Sequence, residues 1–199
     1  MRKGRRISFT REEMIRLTNE TFHVYNRGVD RQVIYQTNDM FKRFLDLINE
    51  FYNPKELLIT AFCLMPNHFH LLIRQIRTFG ISSLMEKVCG DFARIANHSL
   101  SRSGHLFEGR YKMKVARHDD SPILLARYIH LDPCKAGLAA KPEDWQYSSF
   151  RSYLGKSSQP FLSTEALLSQ LDLERGHRSF FAGPVEDDTA LPRHLLFRE

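Results

Sequence analysis

Two apolar segments separated by only two residues constrain the fold of this chain more than any other feature. Residues 57–65 (LLITAFCLM) and 68–73 (HFHLLI) each have the length and composition of a buried strand, and Pro66-Asn67 between them is a typical turn pair. A connection this short brings the second strand back beside the first. The sequence therefore predicts an antiparallel β-hairpin.

The segments on either side of the hairpin complete a regular alternation of strands and helices. Some have apolar residues at helical spacing, and others are rich in β-branched and aromatic residues. The order is β-α-β-β-α-β followed by a further helix, which predicts an α+β, ferredoxin-like fold: an antiparallel sheet with helices on one face. The predicted elements are strand 21–28, helix 38–52, strands 57–65 and 68–73, helix 80–100, strand 105–116, and a helix that starts at Ser121-Pro122 and ends at Asp132-Pro133.

The two ends of the chain differ in composition from this central part. The first 19 residues are charged and weakly periodic, and residues 155–160 (GKSSQP) have the composition of a linker. We therefore expect a basic arm over residues 1–19, one domain over 20–153 and an irregular C-terminal tail over 154–199.

The balance of charge is basic, with 29 Lys+Arg against 23 Asp+Glu. A basic surface favours a polyanionic partner because phosphate contacts release counterions, although many basic proteins bind no nucleic acid. The three cysteines lie far apart and form no CxxC pair, which indicates reduced thiols. Because no apolar run approaches membrane-spanning length, we expect a cytoplasmic protein without a membrane partner.

The start of the second hairpin strand carries the pattern His68-Phe69-His70. Residues two apart on a strand point to the same face, so the two imidazoles project side by side while Phe69 enters the apolar face. Imidazole suits divalent transition metals. The alternative is a pair of polar residues on the exposed face of a half-buried strand. The turn just before the pair fixes the strand and its register, which strengthens the interpretation as a metal site without excluding the alternative.

The last predicted helix places Tyr128 and Asp132 one turn apart on the same face. Asp132 can join the two histidines as a third ligand, or it can simply end the helix before Pro133. Tyr128 by itself is more typical of a core or interface residue. Tyrosine is a poor nucleophile near neutral pH because its pKa is about 10, but it can attack a phosphodiester when a divalent metal polarises the phosphate.

Several stretches resemble one family, in the right order and at suitable spacing. The resemblance is to the REP-associated tyrosine transposases, which belong to the single-tyrosine HUH transposases of bacterial insertion sequences. It runs from about residue 20 to residue 153. The stretches are HVYNRG (23–28), MPNHFHLLI (65–73), GHLFEGRYK (104–112), YIHLDPCKAGL (128–138) and WQYSSFRSYLG (145–155).

The resemblance implies a ferredoxin-like fold and a set of site residues. The HUH histidines of the family match His68 and His70, its catalytic tyrosine matches Tyr128, and its third metal ligand falls on Asp132. The family commonly has asparagine at that position. Its usual NPVRAG reads DPCKAG here, so Lys135 stands in place of a common arginine.

Basic residues offer candidate DNA contacts. Arg110, Lys112 and Lys114 alternate in sequence, so all three share one face of the predicted strand and can track a phosphate backbone. Arg27 and Arg127 are further candidates. The alternative for these residues is an ordinary solvated surface.

These observations together predict a metal-dependent endonuclease and strand transferase that acts on single-stranded DNA. Tyr128 would form a 5′-phosphotyrosine, and the His68, His70 and Asp132 cluster would hold Mg²⁺ or Mn²⁺. The resemblance implies hairpin-bearing DNA as the partner, bound by a monomer or a homodimer. Two alternatives remain: a domesticated, non-cutting DNA-binding protein on the same fold, and a Zn²⁺ hydrolase that uses water and gives Tyr128 no role.

Overall fold

The computed structural model describes residues 10–116 and 122–169, which form an antiparallel four-stranded sheet with helices on its faces. The spatial order of the strands, β2-β3-β1-β4, confirms the predicted ferredoxin-like α+β fold. The strands are β1 (Thr21–Arg27), β2 (Leu57–Met65), β3 (His68–Gln75) and β4 (Lys112–Ala116). The helices are α1 (Arg11–Arg16), α2 (Asn38–Phe51), α3 (Gly80–Ser99), α4 (Pro122–Lys135), α5 (Phe150–Tyr153) and α6 (Glu165–Leu168), with short 3-10 turns at Val29–Arg31 and Pro142–Asp144.

The two faces of the sheet carry separate apolar layers. Helices α2 and α3 cover one face, as the sequence pattern predicts, and α4 covers the opposite face together with α5. Because side chains alternate along a strand, β3 sends Phe69 and Leu71 into the first layer and Leu72 into the second. His68 and His70 therefore share the face on which α4 lies, a placement that the order of elements leaves open.

Strand β2 contains an irregularity that changes which of its side chains face each apolar layer. Leu57 and Ile59 face α2 and α3, and the pairing with β3 shifts register between Ile59 and Ala61. After the shift, Phe62 points into the same layer, whereas Ala61 and Cys63 face α4. These small side chains leave room for α4 over the middle of the sheet.

The fourth strand is shorter than the sequence predicts. The prediction of a strand over 105–116 is wrong for residues 105–111, because only Lys112–Ala116 pairs with β1 as a strand. Residues 105–111 instead form a loop across the end of β1, where Phe107 bridges Gly28 and the Glu108 amide donates to the Arg27 carbonyl at 2.9 Å. Arg110 therefore precedes the strand and does not share a strand face with the two lysines.

Helix α4 does not end at Asp132-Pro133, as the sequence predicts, but continues to Lys135. The true stop is Gly137, whose φ of 68° is left-handed. Its amide donates to the Cys134 carbonyl and the Leu138 amide donates to the Pro133 carbonyl, which together make a Schellman motif. Pro133 lies within α4 and lacks the N–H that would bond the Ile129 carbonyl, and the helix nevertheless continues for two more residues.

The folded part extends further toward the C-terminus than the boundary predicted at residue 153. Phe161 and Leu167 are buried, and the Ser163 amide donates to the Ile59 carbonyl at 2.8 Å. In the predicted basic arm, Thr10 forms a capping box for α1. Residues 1–9 of the arm, residues 170–199 of the tail and the predicted helix cap Ser121 lie outside the described residues. Within the described ranges, no helix has the length and apolar character needed to span a membrane.

Candidate active site

The two histidines lie on a strand that is fixed from both sides. Strand β3 pairs with β2 through the Pro66-Asn67 turn and with β1 on its other edge. The Gly28 amide, at the end of β1, donates to the Asn67 carbonyl at 2.8 Å. A side chain at Gly28 would clash, because a Cβ atom there would lie 2.2 Å from the Gln32 carbonyl oxygen. The hydrogen bond from Gly28 to Asn67 thus holds the turn immediately before His68.

Asp132 meets both histidines over the sheet. Its Oδ2 atom lies 3.1 Å from His68 Nε2 and 3.4 Å from His70 Nε2. One ligand atom from each of the three residues lies within 4.8 Å of the others, and all three residues are buried. The cluster that the sequence predicts from an HxH pattern and a helical repeat is thus assembled in space.

The other ring nitrogen of each histidine is also engaged. His68 Nδ1 lies 2.6 Å from the side-chain oxygen of Asn67, and His70 Nδ1 lies 2.9 Å from His23 Nε2. An amide oxygen only accepts, so His68 carries its proton on Nδ1. The Nε2 atoms of both rings face the Asp132 carboxylate. Outer partners of this kind orient metal-binding histidines.

The electrostatics of the cluster suit a divalent cation. Burial lowers the pKa of His70, which keeps the imidazole in the neutral form that binds metal. Burial raises the pKa of Asp132, but the imidazoles of His68 and His70 outweigh it and bring the pKa well below its usual range. Two imidazole nitrogens and an ionised carboxylate oxygen are a donor set that fits a divalent metal ion.

Tyr128 lies beside this cluster, one turn before Asp132 on α4. Its ring centroid is 6.2 Å from that of His70 and 6.5 Å from that of His23, and it meets both rings edge-on. Only 7% of its surface is exposed. The structure thus brings together the candidate nucleophile and all three candidate ligands.

The predicted DNA contacts on β4 lie on the same face as the cluster. Lys112 pairs with Tyr25 and Lys114 with His23 in the β1–β4 register, and the Lys114 ammonium lies 5.3 Å from the centre of the Tyr25 ring. Lys112 is exposed, and so is Arg110 in the loop before the strand. These three residues extend a basic surface away from the cluster.

The other two predicted DNA contacts are less accessible. Arg27 donates from Nη2 to Glu108 Oε1 at 2.7 Å and from Nε at 3.0 Å, so its guanidinium is bound to a carboxylate. Arg127 is buried, with 8% of its surface exposed. Neither residue is exposed as Lys112 is.

Two residues near the site do not follow from the sequence patterns. His23 reaches His70 only because β1 lies beside β3 in one particular register, which the sequence does not specify. Lys135 places its ammonium 4.5 Å from the centre of the Tyr128 ring. Burial lowers the pKa of Lys135, while the nearby Asp132 carboxylate raises it. The helical spacing between Tyr128 and Lys135 could have predicted this contact. The prediction was not made because the helix was expected to end at Pro133.

A buried polar contact anchors α4 to the sheet. His130 Nε2 lies 2.7 Å from the Ser149 hydroxyl oxygen, which also bonds the backbone N–H and carbonyl of Phe62 on β2. Burial lowers the pKa of His130 to about 3, so this imidazole is neutral at physiological pH. The anchor lies two residues from both Tyr128 and Asp132, and it fixes the helix that carries them.

The family described as "Transposase IS200 like" matches residues 17–132, more than half of the chain. The matched range includes both histidines, Tyr128 and Asp132. The chain belongs to this transposase family. Among curated proteins, none matches it.

Two solved structures are similar to this chain. The chain is similar to a REP-associated tyrosine transposase bound to a REP hairpin, with 17% identity and a TM-score of 0.57 over 82% of this chain and 92% of that one. A candidate transposase from Deinococcus radiodurans gives 17% identity and a TM-score of 0.39 over 69% of this chain and 98% of that one. The first similarity supports the ferredoxin-like architecture.

Proposed function

We propose that this transposase is a metal-dependent single-strand DNA transesterase whose nucleophile is Tyr128. The observation that carries the proposal is the convergence of Tyr128 with the His68, His70 and Asp132 cluster under one helix. The tyrosine ring lies 6.2 Å from the ring of His70. A water-based hydrolase would need the cluster alone, whereas a transesterase needs both parts.

The proposed reaction exchanges one phosphodiester for another. The Tyr128 phenolic oxygen forms a bond to phosphorus, the bond from phosphorus to the 3′-oxygen breaks, and the products are a 5′-phosphotyrosine and a 3′-hydroxyl. The phenol loses a proton and the 3′-oxygen gains one. Because the bond energy is kept in the phosphotyrosine, the reverse reaction can rejoin DNA without ATP.

Each residue of the cluster has a defined part in this scheme. His68, His70 and Asp132 would hold a divalent cation, and His23 would orient the ring of His70. The bound cation would supply positive charge to the scissile phosphate and to the leaving 3′-oxygen. Mg²⁺ prefers oxygen ligands, so two imidazoles favour Mn²⁺ over Mg²⁺.

The partner in the proposal is single-stranded DNA next to a hairpin. Lys112 and Lys114 lie on the sheet face of the cluster and Arg110 precedes them, so a strand that reaches Tyr128 can run along these cations. The similar transposase was solved with a REP hairpin. A hairpin substrate for this chain is an inference from that relative.

The decisive experiment tests for a covalent protein–DNA adduct. The purified protein is incubated with labelled oligonucleotides that carry a hairpin and a single-stranded flank, with Mn²⁺ or with EDTA, and resolved on a denaturing gel. A shifted band that needs metal and disappears on protease treatment supports the proposal. Cleavage without an adduct would support the hydrolase instead, and binding without cleavage the non-cutting protein.

A further inference from the structure

We propose that Lys135 is a second catalytic residue, whose ammonium group contacts the scissile phosphate while Tyr128 attacks it. This inference rests on the proposed function. It adds a positive charge, supplied by the protein, beside the proposed nucleophile.

The continuation of α4 brings Lys135 to this position. Residues 128, 132 and 135 are separated by four and three positions, so they follow one another along a single face of a helix. The helix runs through Pro133 and ends at Lys135, immediately before its left-handed stop at Gly137. Had the helix ended at Asp132, Lys135 would not follow from this spacing.

The lysine side chain is directed back along the helix onto the tyrosine. Its Nζ atom lies 4.5 Å from the centre of the Tyr128 ring. The phosphate that accepts the phenolic oxygen must come close to the same ring, within reach of a lysine side chain. A lysine ammonium is a compact charge on a flexible four-carbon stem, so it can follow the phosphate with three hydrogen-bond donors.

The chemistry explains why a charge at this place would matter. Phosphoryl transfer spreads negative charge over the non-bridging oxygens, and catalysis relies mainly on positioning and electrostatic stabilisation. As the Tyr128 oxygen bonds to phosphorus and the 3′-oxygen leaves, the ammonium offsets this charge. Lys135 transfers no proton in this step and stays an ammonium ion.

If Lys135 only packs on the tyrosine ring, its loss should have a much smaller effect on the rate of adduct formation. An exposed cation–π contact is worth about a two- to fivefold change in an equilibrium. Loss of one pre-oriented electrostatic donor at a reacting centre typically slows catalysis by about 10²- to 10³-fold. The size of the effect therefore separates the two roles.

The test compares three variants under single-turnover conditions with saturating hairpin DNA and Mn²⁺. Lys135→Met keeps the length of the side chain without its charge, and Lys135→Arg keeps the charge. The matched control is Lys87→Met on α3, on the opposite face of the sheet, where the Lys87 ammonium lies 5.4 Å from the Phe51 ring centre. Adduct formation, affinity for uncleaved DNA and thermal unfolding are measured for each.

We expect Lys135→Met to form the adduct about 10²-fold or more slowly than the wild type, with an unchanged unfolding midpoint. Lys135→Arg should keep most of the rate, and Lys87→Met all of it. Suppose that the wild type forms an adduct. If Lys135→Met then matches the wild-type rate, or if Lys135→Arg is as slow as Lys135→Met, the proposed role of Lys135 is wrong while the proposed function stands. If wild type forms no adduct, the proposed function fails and this inference fails with it.

Discussion

The phenolic oxygen of Tyr128 is the atom whose removal should separate DNA binding from chemistry. Tyr128→Phe keeps the ring that packs beside the histidines and removes the oxygen of the proposed nucleophile, so the adduct should be lost while affinity for hairpin DNA stays within about twofold. The control is Tyr147→Phe. The Tyr147 hydroxyl accepts from Gln146 Nε2 at 3.0 Å, and the residue lies in the apolar layer on the opposite face of the sheet. Adduct at the wild-type level in Tyr128→Phe would assign the nucleophile to another residue.

The carboxylate of Asp132 should set the metal requirement. Asp132→Asn keeps an oxygen ligand without its charge, so cleavage should persist but need more metal, whereas Asp132→Ala should lose most of it. A titration of the cleavage rate against Mn²⁺ and Mg²⁺ measures both effects. Identical metal midpoints and rates in wild type and both variants would remove Asp132 from the site.

His23 should matter through His70. Its ring nitrogen lies 2.9 Å from His70 Nδ1, so its loss frees the ligand ring to turn away. His23→Asn should weaken Mn²⁺ binding by about 10- to 100-fold. The measurement is the thermal unfolding midpoint as a function of Mn²⁺ concentration, since a ligand that binds only the folded state stabilises it. Weaker binding shifts the rise of the midpoint to higher Mn²⁺ concentrations. His98→Ala, an exposed histidine on α3, should respond to Mn²⁺ like the wild type; an identical response of His23→Asn would contradict the prediction.

The residues of the site differ in how much of their role the sequence can reveal. Short-range spacing places His68 beside His70 and Asp132 one turn after Tyr128, and these pairs follow from the repeat of a strand or a helix. The contact between His23 and His70 depends on how β1 and β3 are aligned, which is decided by tertiary packing. Lys135 depends on whether a helix tolerates Pro133, and local rules favour a stop there.

At the scale of elements, α4 is held over the sheet by a hydrogen-bonded serine. Ser149 bonds His130 and both backbone groups of Phe62, so Ser149→Ala leaves buried polar groups unsatisfied. We expect a loss of about 1–3 kcal/mol in the free energy of unfolding. The matched control is Ser152→Ala, whose hydroxyl bonds Ser157 at the surface. Equal urea midpoints for the two variants would show that the contact of Ser149 with His130 and Phe62 does not contribute to the free energy of unfolding.

The elements themselves were predictable where periodicity was long and regular. The hairpin and the helices α2 and α3 follow from apolar patterns that tertiary packing does not override. The strand predicted over 105–116 is too long because Leu106 and Phe107 are buried in a loop, and an apolar loop next to a strand cannot be told from the strand by composition. The shift between Ile59 and Ala61 leaves no mark in an almost uniformly apolar segment.

For the whole molecule, the segment after residue 160 should contribute to stability. Leu167 is 2% exposed and packs in the layer beneath α4, whereas Leu138, beyond the end of α4, is 43% exposed. Leu167→Ala should therefore lower the free energy of unfolding by about 2–5 kcal/mol, and Leu138→Ala by about 0.5 kcal/mol or less. Chemical denaturation measures both. A similar small effect at the two positions would place the boundary of the folded unit near residue 153.

The burial of Tyr128 has a consequence for which strands are cleaved. With 7% of its surface exposed, Tyr128 presents little of its side chain to a passing phosphodiester. A strand that makes further contacts elsewhere on the protein stays beside the residue for longer than a strand without them. As the proposed nucleophile, Tyr128 would therefore cut a strand held by such contacts in preference to an ordinary genomic strand.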